Sequence, residues 1–139
     1  MFDVEVRNVH GAVTAIGSAG PFTLVVDRPQ TGGGGGLGFN GGELLHLAVA
    51  GCISNDLFRE ADGRGIVLTR VVVTAEGAFA GDPAVSTGVS YTVEVSGQAS
   101  DEALRDLVRL VDEIAEIPNS LRRGTEVRLG GVIVQSSVP

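Results

Sequence analysis

Residues 42–62 read as one long helix that carries the chain's only cysteine, and this combination constrains the fold more than any other stretch. The run Glu43-Leu44-Leu45-His46-Leu47-Ala48-Val49-Ala50-Gly51-Cys52 is almost wholly apolar. Beyond it the pattern turns amphipathic and ends at Asp62-Gly63-Arg64-Gly65-Ile66. Asn40 stands where a side chain can cap the first turn. A lone cysteine beside Ala50 and Gly51 on such a helix is either an inert core thiol or a placed reactive one. Its neighbours along one face are Leu45, Ala48 and Val49 on one side and Asn55, Asp56 and Arg59 on the other. The apolar side and Asp56 disfavour a thiolate, whereas Arg59, two turns on, favours it. Mid-helix placement also denies the thiol the N-terminal dipole that activates many reactive cysteines. These residues by themselves favour a structural thiol.

Elsewhere the periodicity predicts mostly strands. Phe2, Val4 and Val6 alternate with Asp3, Glu5 and Arg7 over residues 2–9, as on a half-buried strand. Ala12–Ile16 can return as the second strand of a hairpin, and Phe22–Val26 forms a third, stopped by Pro29. Residues 30–42 hold the glycine run Gly32–Gly36 and are expected to be a flexible loop. Ile66–Phe79 and Val85–Val95 read as two long strands joined at Gly81-Asp82-Pro83. A second helix runs from Ser100, its N-cap, to Ile114, with Leu104, Leu107, Val108 and Val111 as its buried stripe. Glu126–Gln135 is expected to be a last strand. The order β-β-β-α-β-β-α-β, with strands grouped, argues for an α+β fold. Residues 1–139 suit one domain, or one half of an intertwined pair.

Composition excludes several functions. A net charge of -7, with all ten basic residues arginine, argues against nucleic acid or anionic membrane as partners. One cysteine allows no internal disulfide and no Cys/His zinc cluster, and no apolar run reaches membrane-spanning length. The acidic, alternating N-terminus is unlike a signal peptide, so a soluble cytoplasmic protein is expected. Gly33-x-Gly35-x-x-Gly38 formally matches a dinucleotide fingerprint. However, Pro29 and Gln30 separate strand from loop, and Glu76 lies far beyond the acid's usual spacing of about 20 residues. His10 and His46 have no metal-ligand spacing, and Asp112, Glu113 and Glu116 read as a solvated acidic run.

The helix motif, with Asn40 ahead of it, resembles the family of osmotically induced protein C and the organic hydroperoxide resistance proteins (OsmC/Ohr), closest to its less-characterised OsmC-like branch. Two further pieces carry the likeness: the helix exit leading into Leu68–Gly77, and Ile117-Pro118-Asn119-Ser120, where the family has Cys-Pro-x-Ser. The resemblance implies an α+β homodimer of interleaved chains, with antiparallel sheets around long central helices and sites at the interface. It implies a thiol-dependent peroxidase that reduces organic hydroperoxides in oxidative defence, with no cofactor or metal and with an external thiol as reductant. Cys52 matches the reactive cysteine. Ile117 takes the place of the second cysteine, so no disulfide forms within one chain. Gly42 takes the place of the hydroperoxide-resistance glutamate, and Glu43 stands one residue later. Arg7 is the arginine candidate in the N-terminal hairpin, with Arg28, Arg122 and Arg123 as other sources of positive charge. The alternative is a non-catalytic binding protein with an apolar pocket at the dimer interface.

Overall fold

The computed structural model describes residues 1–138. The chain order is β1 (Glu5–Asn8), β2 (Ala15–Ala19), β3 (Phe22–Val26), α1 (Gly41–Asp62), β4 (Leu68–Ala80), β5 (Val85–Gly97), α2 (Asp101–Ile114) and α3 (Glu116–Arg122). β1, β2 and β3 form an antiparallel meander, and β4 and β5 form a long antiparallel hairpin. The expected α+β class, antiparallel sheets and long helix are all present.

The core lies where α1 and α2 cover one face of the β4–β5 hairpin. Ladder pairs Val71–Val95, Val73–Val93 and Ala75–Tyr91 present that face. Ile53, Leu57 and Ala61 of α1 meet Leu107 and Val111 of α2 over it, and Ala115 closes the cluster. Leu104, Leu107 and Val111 are buried as the spacing predicts, with Val108 packed beside them. Ser100 caps α2 by accepting the Ala103 N–H at 3.2 Å, also as expected.

Two expectations change. Glu126–Gln135 forms no strand among the described residues: a strand exists only through pairing, and this segment finds no ladder in its own chain. Its place in the element order is taken by α3. Pro118 falls in the first turn of that helix, where a missing N–H costs no bond. The glycine loop is also ordered rather than loose. A short 3₁₀ turn spans Gln30–Gly32, and the buried Asp27 carboxylate gathers the segment. It accepts hydrogen bonds from Thr14 Oγ1 at 2.9 Å and from the N–H groups of Arg28, Gly35 and Leu37 at 2.8 to 3.2 Å. Glycine is required there by close approach: a Cβ at Gly34 or Gly38 would overlap the carbonyl oxygens of Arg28 and Val25.

Candidate active site around Cys52

Asn40 and Glu43 build the start of α1 as a capping box. The Asn40 side chain accepts the Glu43 N–H at 2.9 Å, and the Glu43 carboxylate accepts the Asn40 N–H at 3.0 Å. Cys52 stands nine positions after Glu43, which on a helix is about 14 Å along the axis and roughly half a turn round it. Glu43 therefore faces away from the thiol of its own chain, engaged with the helix terminus.

Cys52 itself lies at a seam. On one side of it Val49, Ile53 and Asp56 are buried; on the other Ala48, Gly51 and Asn55 are exposed. The half-buried thiol packs on the edge of the core. Asp56, one turn on, is buried; Arg59 meets it at 3.0 Å, and its Oδ2 has no hydrogen-bond partner among the described residues. Arg59 also contacts Glu60 at 3.2 Å, so the cation nearest Cys52 on α1 is shared between two carboxylates.

The other sequence candidates sit elsewhere. Arg7 pairs with Glu5 at 2.9 Å on an exposed strand of the meander. Arg28 lines a cavity with Asn40, Gly41 and Gly42 at the start of α1. At Gly42, an added Cβ would lie 3.1 Å from the Phe79 ring, so Phe79 stands against the start of α1. Ile117 is half-exposed in the first turn of α3. His46 is a packing residue: its Nδ1 lies 2.6 Å from the Gly42 carbonyl, and its buried Nε2 abuts Gly77 of β4. Within one chain, then, neither Glu43 nor Arg7 is brought to Cys52.

Sequence reasoning missed a polar cluster beside this region. Tyr91 of β5 donates a hydrogen bond to the Asp112 carboxylate at the end of α2, and Arg122 Nη2 donates to the same oxygen at 2.6 Å. Arg122 Nη1 also reaches the Asp112 carbonyl at 2.8 Å and Asn119 Oδ1 at 3.0 Å. The partners are far apart in sequence, and only the β5 alternation, which puts Tyr91 on the same face as Val93, hinted at it. Burial, then the bond to Asp112, pushes the Tyr91 phenol up to about 12, while the Tyr91 and Arg122 hydrogen bonds hold Asp112 below the usual carboxylate range. For the raised phenol, the stabilisation is complete below pH 10.0 and lost as pH rises through about 12. Because Tyr91 is the only tyrosine, ultraviolet titration of the phenolate reads it alone. In Asp112→Asn the apparent pKa is expected to fall but to stay above 10.0, since burial remains.

The profile of the family described as OsmC-like protein matches residues 33–130. The chain is a member of the OsmC-like family. Among curated proteins, none matches it. Its fold is similar to that of an OsmC-like protein from Mycoplasma pneumoniae, at 15% identity and TM-score 0.76, over 90% of this chain and 89% of that one. An organic hydroperoxide resistance protein from Legionella pneumophila aligns at 22% identity and TM-score 0.67, over 88% and 89% of the two chains. Another from Elizabethkingia anophelis aligns at 17% identity and TM-score 0.60, over 89% of each. At these identities the likeness carries the OsmC-like fold. No helix among the described residues is long and apolar enough to cross a membrane.

Proposed function

We propose that this OsmC-like protein reduces organic hydroperoxides through Cys52, in oxidative-stress defence. The carrying observation is the position of that thiol at the seam between the packed and open faces of α1. Family membership and the names of the similar hydroperoxide resistance proteins support the chemistry. The thiolate attacks the terminal peroxide oxygen; the O–O bond breaks, the alkoxide leaves and takes a proton as the alcohol, and the sulfur becomes a sulfenic acid. With Ile117 where a second cysteine would stand, an external dithiol resets it. One sulfur condenses with the sulfenic acid and releases water; the other displaces Cys52 as thiolate and leaves the reductant as a disulfide.

The working unit in this reading is a homodimer. α1 carries apolar residues all round, yet its own chain covers one face only; Leu47 and Phe58 stay half-exposed beside Ala48 and Gly51. The meander and the residues just before it likewise present Phe2, Val4, Val6 and Phe22 openly. A second chain over these faces would wall in the open side of Cys52. Any role for Arg7 or Glu43 as a partner of the thiolate then falls to the second copy. The single unpaired thiol suits a reducing compartment, and we assign the protein to the cytoplasm.

The test is hydroperoxide consumption by purified protein with excess dithiol, beside Cys52→Ser. The substitution is expected to abolish turnover and to change stability by less than about 1 kcal/mol. Full turnover by the serine variant would rule out the cysteine mechanism. A second reading, a binding protein that has lost the redox pair, is favoured by Ile117 and by Phe79 beside Gly42. It expects the parent to be inactive, with Cys52 unmodified by mass.

A further inference from the structure

A buried carboxylate short of hydrogen bonds is costly, and α1 carries one. Asp56 is 6% exposed. Arg59 reaches its Oδ1 at 3.0 Å, but the buried Oδ2 has no hydrogen-bond partner among the described residues. The other buried carboxylate, Asp27, accepts hydrogen bonds on both oxygens. Packing does not call for an acid at this position either. The neighbouring buried positions of α1, Val49, Ile53 and Leu57, are apolar, and an apolar residue would fill the site without burying charge.

Asp56 follows Cys52 by four positions, so the two side chains are neighbours on the helix, about 5–6 Å apart at Cβ. Helical side chains lean toward the N-terminus, which directs the Asp56 carboxylate to the turn that carries Cys52 and Ile53. Arg59 leans the same way and meets Asp56 from the turn beyond. The half-buried thiol does not donate to Oδ2 in this structure, so that oxygen is an open acceptor beside it.

We propose that Asp56 is the proton carrier for Cys52: its free oxygen takes the thiol proton as the sulfur attacks and passes it to the departing alkoxide. The inference rests on the peroxidase reading. The S–O bond forms as the O–O bond breaks, the sulfur is oxidised to sulfenic acid and the hydroperoxide is reduced to the alcohol. One proton moves from Sγ to Oδ2 and on to the alkoxide oxygen, and Asp56 ends as it began. Arg59, on the other oxygen, holds the carboxylate in place.

The leaving group separates this role from a structural one. An alkoxide departs poorly until it is protonated, whereas peracetic acid expels acetate, which leaves as an anion. A proton carrier therefore matters for an alkyl hydroperoxide and not for the peracid, while a change in fold or in thiolate population moves both rates together. The measurement is single-turnover loss of the Cys52 thiol in the reduced full chain, with tert-butyl hydroperoxide and with peracetic acid. Asp56→Asn is expected to lower the ratio of the first rate to the second by about 10²-fold. Asp56→Ala serves if that variant misfolds. An unchanged ratio, with the parent still fast toward tert-butyl hydroperoxide, would overturn the assignment of Asp56 and leave the peroxidase reading standing. A donor from a second chain on Oδ2 would give that same result, since it bears on stability and not on the ratio. A parent that reacts with peracetic acid but meets tert-butyl hydroperoxide no faster than a free thiol does would overturn both.

Discussion

Shortening Leu57 to alanine is expected to lower the free energy of unfolding by about 2–5 kcal/mol, measured by urea denaturation. Leu57 is 0% exposed at the centre of the core, between Ile53 and Ala61 of its own helix and beside Leu107 and Val111 of α2. Truncation removes apolar contact area and leaves a void between two helices and a hairpin, whose long ladder resists collapse into it. Leu47→Ala, on the part of α1 that its own chain leaves open, is the control. Leu47 is half-exposed in the single chain, so there its truncation should cost well under the Leu57 value. If the two cost the same, and the Leu47 effect fades on dilution, a second chain covers that face. A Leu57→Ala loss below about 1 kcal/mol would mean that the core is centred elsewhere.

A stop placed after Gly124 is expected to abolish dimer formation while leaving the helices folded. None of residues 125–138 belongs to the core. Yet Val127, Leu129, Val132, Ile133 and Val134 are between 71% and 96% exposed, too much apolar chain to stay in water without a partner. The segment's alternation suits an added strand, and the meander and hairpin of another copy both offer free edges. Sedimentation should give the full chain as a dimer and the shortened one as a monomer or an aggregate. Helical circular dichroism should be unchanged per residue. A shortened chain that still sediments as a dimer would remove this segment from the interface.

What could be read from the sequence follows from the range of each interaction. α1 and α2 are legible because their signals are local: the caps Asn40 and Ser100, and the spacing of Leu104, Leu107 and Val111. The β4–β5 hairpin was legible because its strands are adjacent and long. Glu126–Gln135 alternates well enough to suggest a strand, but alternation says nothing about which chain supplies the partner. The glycine loop misled because flexibility was inferred from its own residues, while its order comes from Asp27, outside the run. At the candidate site, Cys52 was visible as a lone thiol on an apolar helix. The Tyr91, Asp112 and Arg122 cluster was not, since its members meet only after β5 and α2 have packed.

The way Asp27 holds the glycine loop has a dynamic consequence. Residues that are tied separately loosen separately, but Arg28, Gly35 and Leu37 all donate to one carboxylate. Burial alone would push that carboxyl up, but the bonds from Gly35, Thr14, Arg28 and Leu37 outweigh it and hold Asp27 below its usual range. The attachment is therefore complete above the ordinary carboxylate pKa and is lost as pH falls through the lowered one. The loop should open as a unit, with the amides of Gly35 and Leu37 exchanging hydrogen at matched rates, and Asp27→Asn should speed both together. Five glycines in a row thus behave less like a tether than like a latch, with Asp27 as the catch its side-chain bonds share.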